Sequence, residues 1–210
     1  PAEINGAPGA AITLPAQGDI TRAYYNFLGW AESPDATVPL TDFTIPSANT
    51  TLYAVWSRVP VTLTKQAGST TVIDTGTNMI YGLAEGMTKA DFINNYVTVG
   101  GDGTVRCTYY SDSFGTGTKV ELVDNVTGDV LETYYIVIFG DIDGDGYITA
   151  ADENLLDMAS SYQIELEGEA FTCAADLTKD GFVDAFDLNI LTAANGYSLV
   201  IDQTNPDLSA

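Results

Sequence analysis

From Ile12 to Trp56, apolar and polar residues alternate in short runs, AITLP, RAYYNFLGW and TDFTIPSANTTLYAVW, broken by the turn clusters AQGD and AESPDAT. A period of two, punctuated by Pro, Gly and Asn, predicts short half-buried strands and a small β-rich module over residues 1–58. The alternation resumes after Arg58 in VPVTLTK, YVTVGG, TVRCTYYSD and GTKVELVDNVTGDVLETYYIVIFG. One stretch, KADFINNY behind Thr88, instead carries the N-cap signature of a short helix. Residues 59–139 are therefore expected as a second β-rich, sandwich-like domain with a single helix. From residue 140 to 210 the pattern changes again, to two Asp/Gly-rich loops that each lead into a helical run.

Those two loops, Asp141 to Asp152 and Asp176 to Asp187, are copies of one stretch, with every counterpart 35 residues on. In DIDGDGYITAAD the oxygen-bearing side chains Asp141, Asp143, Asp145, Thr149 and Asp152 fall at loop positions 1, 3, 5, 9 and 12. Gly146 stands at position 6, and Tyr147 offers its carbonyl at position 7. This is the spacing with which an EF-hand loop wraps a calcium ion in oxygen ligands, Gly making the sharp turn. The second copy supplies Asp176, Thr178, Asp180, Gly181, Phe182, Asp184 and Asp187. The register continues from Asn154 to Asn189, Leu156 to Leu191 and Tyr162 to Tyr197. Position 12 is Asp rather than Glu, and no amphipathic helix is expected before either loop: YYIVIFG reads as a strand, and EGEAFTCAA is too short and irregular. Each unit is thus half an EF-hand, and two calcium ions are expected.

The duplicated half-EF-hand, GDIDGDGYITAADENLL and AADLTKDGFVDAFDLNILTAANGY, resembles the type I dockerin family. That resemblance implies a non-catalytic, calcium-folded module that binds a cohesin on a scaffoldin or cell-surface protein, in assemblies of the cellulosome or amylosome type. It also implies a contact face formed by loop positions 10 and 11 and the following helical turns. Here these are Ala150, Ala151, Asn154, Leu155 and Met158 on the first helix, and Ala185, Phe186, Asn189, Ile190 and Ala193 on the second. Ile148 and Val183, at position 8, are expected to meet in a small β-bridge, with Leu156 and Leu191 turned inward. Near the N-terminus, NFLGWAES and TDFTIPSANTTLYAVW resemble the Listeria-Bacteroides repeat, a small β-grasp-like unit of surface proteins, through Phe27, Gly29 and Trp30 and through Leu52, Tyr53, Ala54 and Trp56. The first strand of that pattern is missing before Asn5. By position alone, the middle domain resembles the X-type modules that brace some dockerins.

Composition narrows the function. A formal charge of −22 excludes a phosphate-backbone partner, because nucleic-acid binding rests on Lys and Arg. An anionic membrane surface is excluded on the same ground, and no apolar run reaches the length of a transmembrane helix. The chain opens on PAEINGAPG rather than a signal segment and is expected to be a mature fragment or an excised piece. With no His there is no ordinary general base. Glycosidase chemistry needs two carboxylates facing each other across a cleft, whereas the Asp residues with recognisable spacing here belong to the loops. Glu165, Glu167 and Glu169 are expected on a solvated connecting face. No enzymatic activity is expected in these residues, and an enzyme further upstream in a longer protein is compatible with this reading. Gly115 to Gly117 lacks the lysine and helix of a phosphate loop and reads as a hairpin turn. Cys107 and Cys173 are expected as small, partly apolar side chains rather than a disulfide.

The expected function is calcium-dependent attachment to a cohesin, outside the cell or at a bacterial surface. Two alternatives stand beside it: a carbohydrate-binding adhesin using the aromatic residues Tyr24, Tyr25, Phe27, Trp30, Phe43, Tyr53 and Trp56 of the first module, and a calcium-sensing regulatory module. Polysaccharide binding by other modules is compatible with the first. Only Gly140 separates the middle domain from the first loop, so these two modules are expected to move as one body, with the tail SLVID lying back against them.

Overall fold

A computed structural model describes residues 3–205, and the chain divides into two compact units, one up to Val61 and one from Thr62. In the first unit, β1 (Ala11–Ile12) pairs antiparallel with β3 (Phe43–Thr44), and β2 (Tyr25–Ala31) with β4 (Tyr53–Arg58). The β2–β4 register shifts between Phe27 and Gly29. Gly29 has φ 147°, and a Cβ there would lie 2.6 Å from Pro39, so the bulge requires glycine. Trp30, Ala31 and Val55 are buried, and Phe27 sets its ring edgewise against both Trp30 and Trp56. The half-buried Phe27 thus links the two tryptophans, and Trp30 Nε1 satisfies itself by donating to the Pro15 carbonyl at 2.6 Å.

The second unit is built on a five-stranded sheet in the order β6 (Val72–Asp74), β7 (Met79–Tyr81), β11 (Val130–Ile136), β10 (Lys119–Asp124) and β9 (Gly103–Thr108). The β7–β11 pair is parallel and the others are antiparallel. A separate pair joins β5 (Thr62–Lys65) to β8 (Val97–Gly100). Thr88 caps α1 (Lys89–Asp91) in a capping box, and the chain continues through a π-helical turn, Phe92–Tyr96, that buries Phe92. The helix expected over KADFINNY is present, its second half widened.

After β11 the chain does not leave the core. Val137, Ile138 and Phe139 are all buried, and Val137 and Phe139 join Met79, Ile142, Leu156, Ala174, Leu177, Leu191 and Ile201 in one cluster. This cluster draws on β7, both loops, α2 (Ala150–Ser160), α3 (Glu169–Ala175), α4 (Ala185–Asn195) and the tail. The tail is not a strand, yet it is tied down. Ile201 is buried, the Gln203 carbonyl accepts from the Gly82 amide at 2.8 Å, and the Gln203 side chain bonds both the N–H and the C=O of Phe139 at 2.7 and 2.9 Å.

One expectation fails here. The stretch before the second loop forms α3, a helix of seven residues, so this half is helix, loop and helix. Its composition is poor in periodicity, but Ala170, Phe171, Ala174 and Ala175 are buried on one side. Phe171 lies 4.5 Å from the Tyr110 ring and covers Gly117 and Gly144. Tertiary packing, not local propensity, makes this helix.

Candidate metal centre and docking face

In the first loop, turn geometry gathers the carboxylates. The Asp145 amide donates to Asp143 Oδ1 at 3.0 Å and the Tyr147 amide to Asp145 Oδ1 at 2.9 Å, two successive Asx turns that bend the chain around a centre. Asp141 accepts from the Gly144 and Gly146 amides, and ligand oxygens of Asp141, Asp143 and Asp145 all lie within 4.8 Å of one another. Asp152, at position 12, is fully buried and collects the Ile142, Asp143 and Thr149 amides at 2.7 to 3.0 Å. Thr149 caps α2 through the Ala151 amide. Positions 1, 3 and 5 are thus brought together, whereas positions 9 and 12 also close the loop onto the start of its helix.

The second loop repeats most of these bonds 35 residues on, without the turn from position 5 to position 3, where Thr178 replaces an Asp. Asp187 collects the Leu177, Thr178 and Asp184 amides at 2.8 to 2.9 Å, Asp176 accepts from Gly181, Asp180 from Phe182, and Asp184 caps α4 through Phe186. Gly146 and Gly181 share the same left-handed turn, at φ 89° and 88°. The repeat extends to the helix ends. Tyr162 and Tyr197 both adopt positive φ, and the amides that follow them, of Gln163 and Ser198, reach back to the Met158 and Ala193 carbonyls. Both tyrosines are almost fully exposed, at 92% and 98%. Among the described residues, three carboxylates converge in this way only in the first loop, since Thr178 replaces an Asp at position 3 of the second.

Burial pushes the Asp141 carboxyl up to about 7, the neighbouring Asp152 carboxylate adding to the shift and the Thr116 and Gly144 amides opposing it. Asp143 and Asp176 are raised by the same cause, with nearby carboxylates contributing. Oxygen-only donors of one charge, held close and partly desolvated, fit a hard divalent cation such as calcium and do not fit zinc, which favours nitrogen and sulfur. Asp141, Asp143 and Asp145 are the residues that would hold it.

The β domain reaches into the first loop in ways that sequence reasoning missed. The Thr116 amide donates to Asp141 Oδ2 at 2.8 Å, Ser111 Oγ to the Gly144 carbonyl at 2.7 Å, and the Gly86 amide to the Gly146 carbonyl at 2.8 Å. The Ile148 amide donates to Glu85 at 3.0 Å. This corrects the expected bridge at position 8: no backbone bond joins Ile148 to Val183 among the described residues, although both side chains pack on the shared core. Gly115 to Gly117 is indeed a turn, with Thr118 N–H on the Gly115 carbonyl, but it lies against the loop. A Cβ on Gly115 would come 2.4 Å from the Gly146 nitrogen.

Helices α2 and α4 pack together and bury Leu156 and Leu191 completely, as expected. Glu153 binds Thr192 and Asn195 of α4 at 2.7 and 3.0 Å, contacts that hold its carboxyl below the usual range. The outer face carries the exposed residues Ala150, Ala151, Asn154, Ala185, Phe186 and Asn189, with Leu155, Met158, Ile190 and Ala193 half-buried beneath. Phe186 is 68% exposed. Cys107 and Cys173 are unpaired thiols, both half-buried and pushed up by burial. Glu165, Glu167 and Glu169 are exposed. No helix is long and apolar enough to cross a membrane among the described residues.

Residues 139–194 match the family model of the dockerin type I domain, and residues 5–55 match that of the Listeria-Bacteroides repeat domain. No curated protein and no solved structure matches the chain. The dockerin type I domain is a calcium-dependent, cohesin-binding attachment module, and both matched families are non-catalytic and typical of extracellular or surface proteins.

Proposed function

We propose that this chain is an attachment piece of a polysaccharide-degrading assembly of the cellulosome or amylosome type. Its two Asp-rich loops hold two calcium ions, and the outer face of α2 and α4 docks a cohesin borne by a scaffoldin or a cell-surface protein. The observation that carries this reading is the superposition of duplicated loop bonding on a doubled helix face that leaves Ala150, Ala151, Ala185 and Phe186 exposed. Asp141, Asp143, Asp145, Asp152, Asp176, Asp180 and Asp187, with Thr149, Thr178 and Asp184 and the carbonyls of Tyr147 and Phe182, form the two ligand sets. An exposed Phe186, following Ala185 in the first turn of α4, suits an anchor that enters a partner's pocket.

Residues 59–139 act as a brace for the docking module, residues 140–210, in the manner of an X-module. Residues 1–58 form a separate surface-protein unit. A carbohydrate-binding role for residues 1–58 has less support, because Trp30 is buried and the half-buried Phe27 and Trp56 are packed edgewise on one another. Capture of cohesin-bearing proteins by the chain in calcium, abolished by chelator, tests the reading. Binding to a glycan array, unaffected by chelator and without cohesin capture, would favour the adhesin instead.

A further inference from the structure

The two loops share one internal bonding scheme but differ in what surrounds them. Four segments of the β domain support the first: Glu85 and Gly86, Ser111, Gly115 and Thr116, and the Ile138 carbonyl, which accepts from the Asp141 amide. Asp141, Gly144 and Gly146 are all buried. The second loop has no hydrogen bond to the β domain among the described residues, and Asp180, Gly181 and Phe182 are exposed.

Charge differs in the same sense. Each loop has four carboxylates at its ligand positions, Asp141, Asp143, Asp145 and Asp152 in the first and Asp176, Asp180, Asp184 and Asp187 in the second, but the second has Thr178 at position 3, where Asp143 completes the converging group of the first. Where the first has Gly144 at position 4, the second has Lys179, held at φ 59°. Its ammonium does not extend into solvent. It turns under the loop, 3.8 Å from the Phe139 ring centroid and 3.1 Å from the Cys173 carbonyl, where it interacts with Asp176 and Asp187. A fixed positive charge inside a cation loop, and a hydroxyl in place of the carboxylate at position 3, both weaken calcium binding there, whereas a scaffold that holds ligands in place before binding strengthens it.

We infer that the loops fill in order, the first binding calcium tightly as a fixture of the β domain and the second more weakly, so that the second alone controls whether the docking face is displayed. The link to docking rests on the function proposed above. It runs through α4. Asp184 caps the helix at Phe186, and Asp187 ties the same turn to Leu177 and Thr178, so Phe186 rides on a turn that belongs to the second loop. When Asp176, Asp180 and Asp187 lack a cation their mutual repulsion loosens that turn, while Leu191 keeps the rest of α4 in the core.

The test is a calcium chloride titration of the isotope-labelled chain, following the Gly146 and Gly181 amides, which occupy position 6 of each loop. Gly146 should reach its midpoint at a calcium concentration at least tenfold below that of Gly181. Lys179→Met, which keeps the stem and removes the charge, should bring the Gly181 midpoint down at least fivefold and leave Gly146 in place. Lys179→Arg should preserve the separation. Coincident midpoints, Gly181 leading, or an unmoved Gly181 in Lys179→Met would overturn the inference. In a second arm, binding to immobilised cohesins should follow the Gly181 midpoint in both proteins, and binding that follows Gly146 would overturn the control assigned to the second loop. Absence of cohesin binding at every calcium concentration would refute the proposed function, while the titration, which contains no cohesin, still decides the order of filling.

Discussion

The backbone amide of Thr116 donates to Oδ2 of Asp141 at 2.8 Å, so a turn of the β sheet supplies a bond inside the first loop of the docking module. Asp141 is fully buried, and its other partners are the loop's own Gly144 and Gly146 amides. The loop and the sheet therefore fold as parts of one core rather than as neighbours on a string.

Asp141→Ala is expected to remove one bound calcium and to lower stability more than Asp176→Ala, which also removes one. Three amide donors lose their carboxylate in the first variant, and each buried donor left unpaired costs about 1–3 kcal/mol. Calcium stoichiometry by titration calorimetry and melting by circular dichroism check both. Equal destabilisation by the two variants would contradict the cradling of the first loop.

Without calcium, stability should fall as pH rises. Burial raises the Asp141 carboxyl from its ordinary value of 3.8 to about 7 in the folded chain, and Asp143 and Asp176 shift in the same direction. A raised acid stabilises the fold below its unfolded pKa and loses that contribution as pH climbs through the folded value. In calcium-free buffer, Tm should therefore drop between pH 4 and pH 8. In excess calcium the dependence should reverse, because the ion needs the ionised carboxylates. A calcium-free Tm that rises over this window would contradict the assignment.

The tail should act as a clasp. Deleting residues after Tyr197 removes the buried Ile201 side chain and the three bonds that Gln203 makes to Gly82 and Phe139. Ile201→Ala alone should cost about 2–5 kcal/mol, as for other buried aliphatic truncations, and Gln203→Ala about 1–2 kcal/mol. Denaturant unfolding of the three variants measures this, and an unchanged midpoint in the truncated chain would show the tail to be dispensable.

A cohesin should be held in one orientation. The halves differ where they would exchange places: Ala151 corresponds to Phe186, Asp157 to Thr192 and Met158 to Ala193. Rotating the module by half a turn would replace the exposed ring of Phe186 with a methyl. At about 25 cal/mol per Å² this is on the order of 2 kcal/mol, a preference of more than tenfold. Paramagnetic labels on a bound cohesin should give one set of distances to α2 and α4, and two sets of similar weight would refute the single mode.

The loops and their helices were legible because ligand chemistry fixes spacing: an oxygen shell and a sharp glycine turn leave few alternatives, and duplication wrote the pattern twice. In the second unit β5 and β8 to β11 were legible from alternation and α1 from Thr88, whereas the three-residue strands β6 and β7 are too short to show a period. Helix α3 was not, because Phe171 is buried only against Tyr110 and Gly117, which lie more than fifty residues earlier, and Ala170 and Ala174 only in a core shared with Met79, Val137 and Phe139. Nor were Glu85, Ser111 and Thr116, whose contributions are a carboxylate, a hydroxyl and a backbone amide delivered from separate turns with no local signature. The position-8 bridge failed for the same reason, since Glu85 takes the Ile148 amide.

The most direct test of the account is the dissociation constant for a panel of cohesins, measured by calorimetry for the parent chain and for Phe186→Ala, in millimolar calcium and in chelator. The account predicts binding of at least one cohesin in calcium, loss in chelator, and a more than tenfold weakening in Phe186→Ala with its calcium stoichiometry intact. Binding that persists in chelator, or a Phe186→Ala constant within twofold of the parent's, would contradict it.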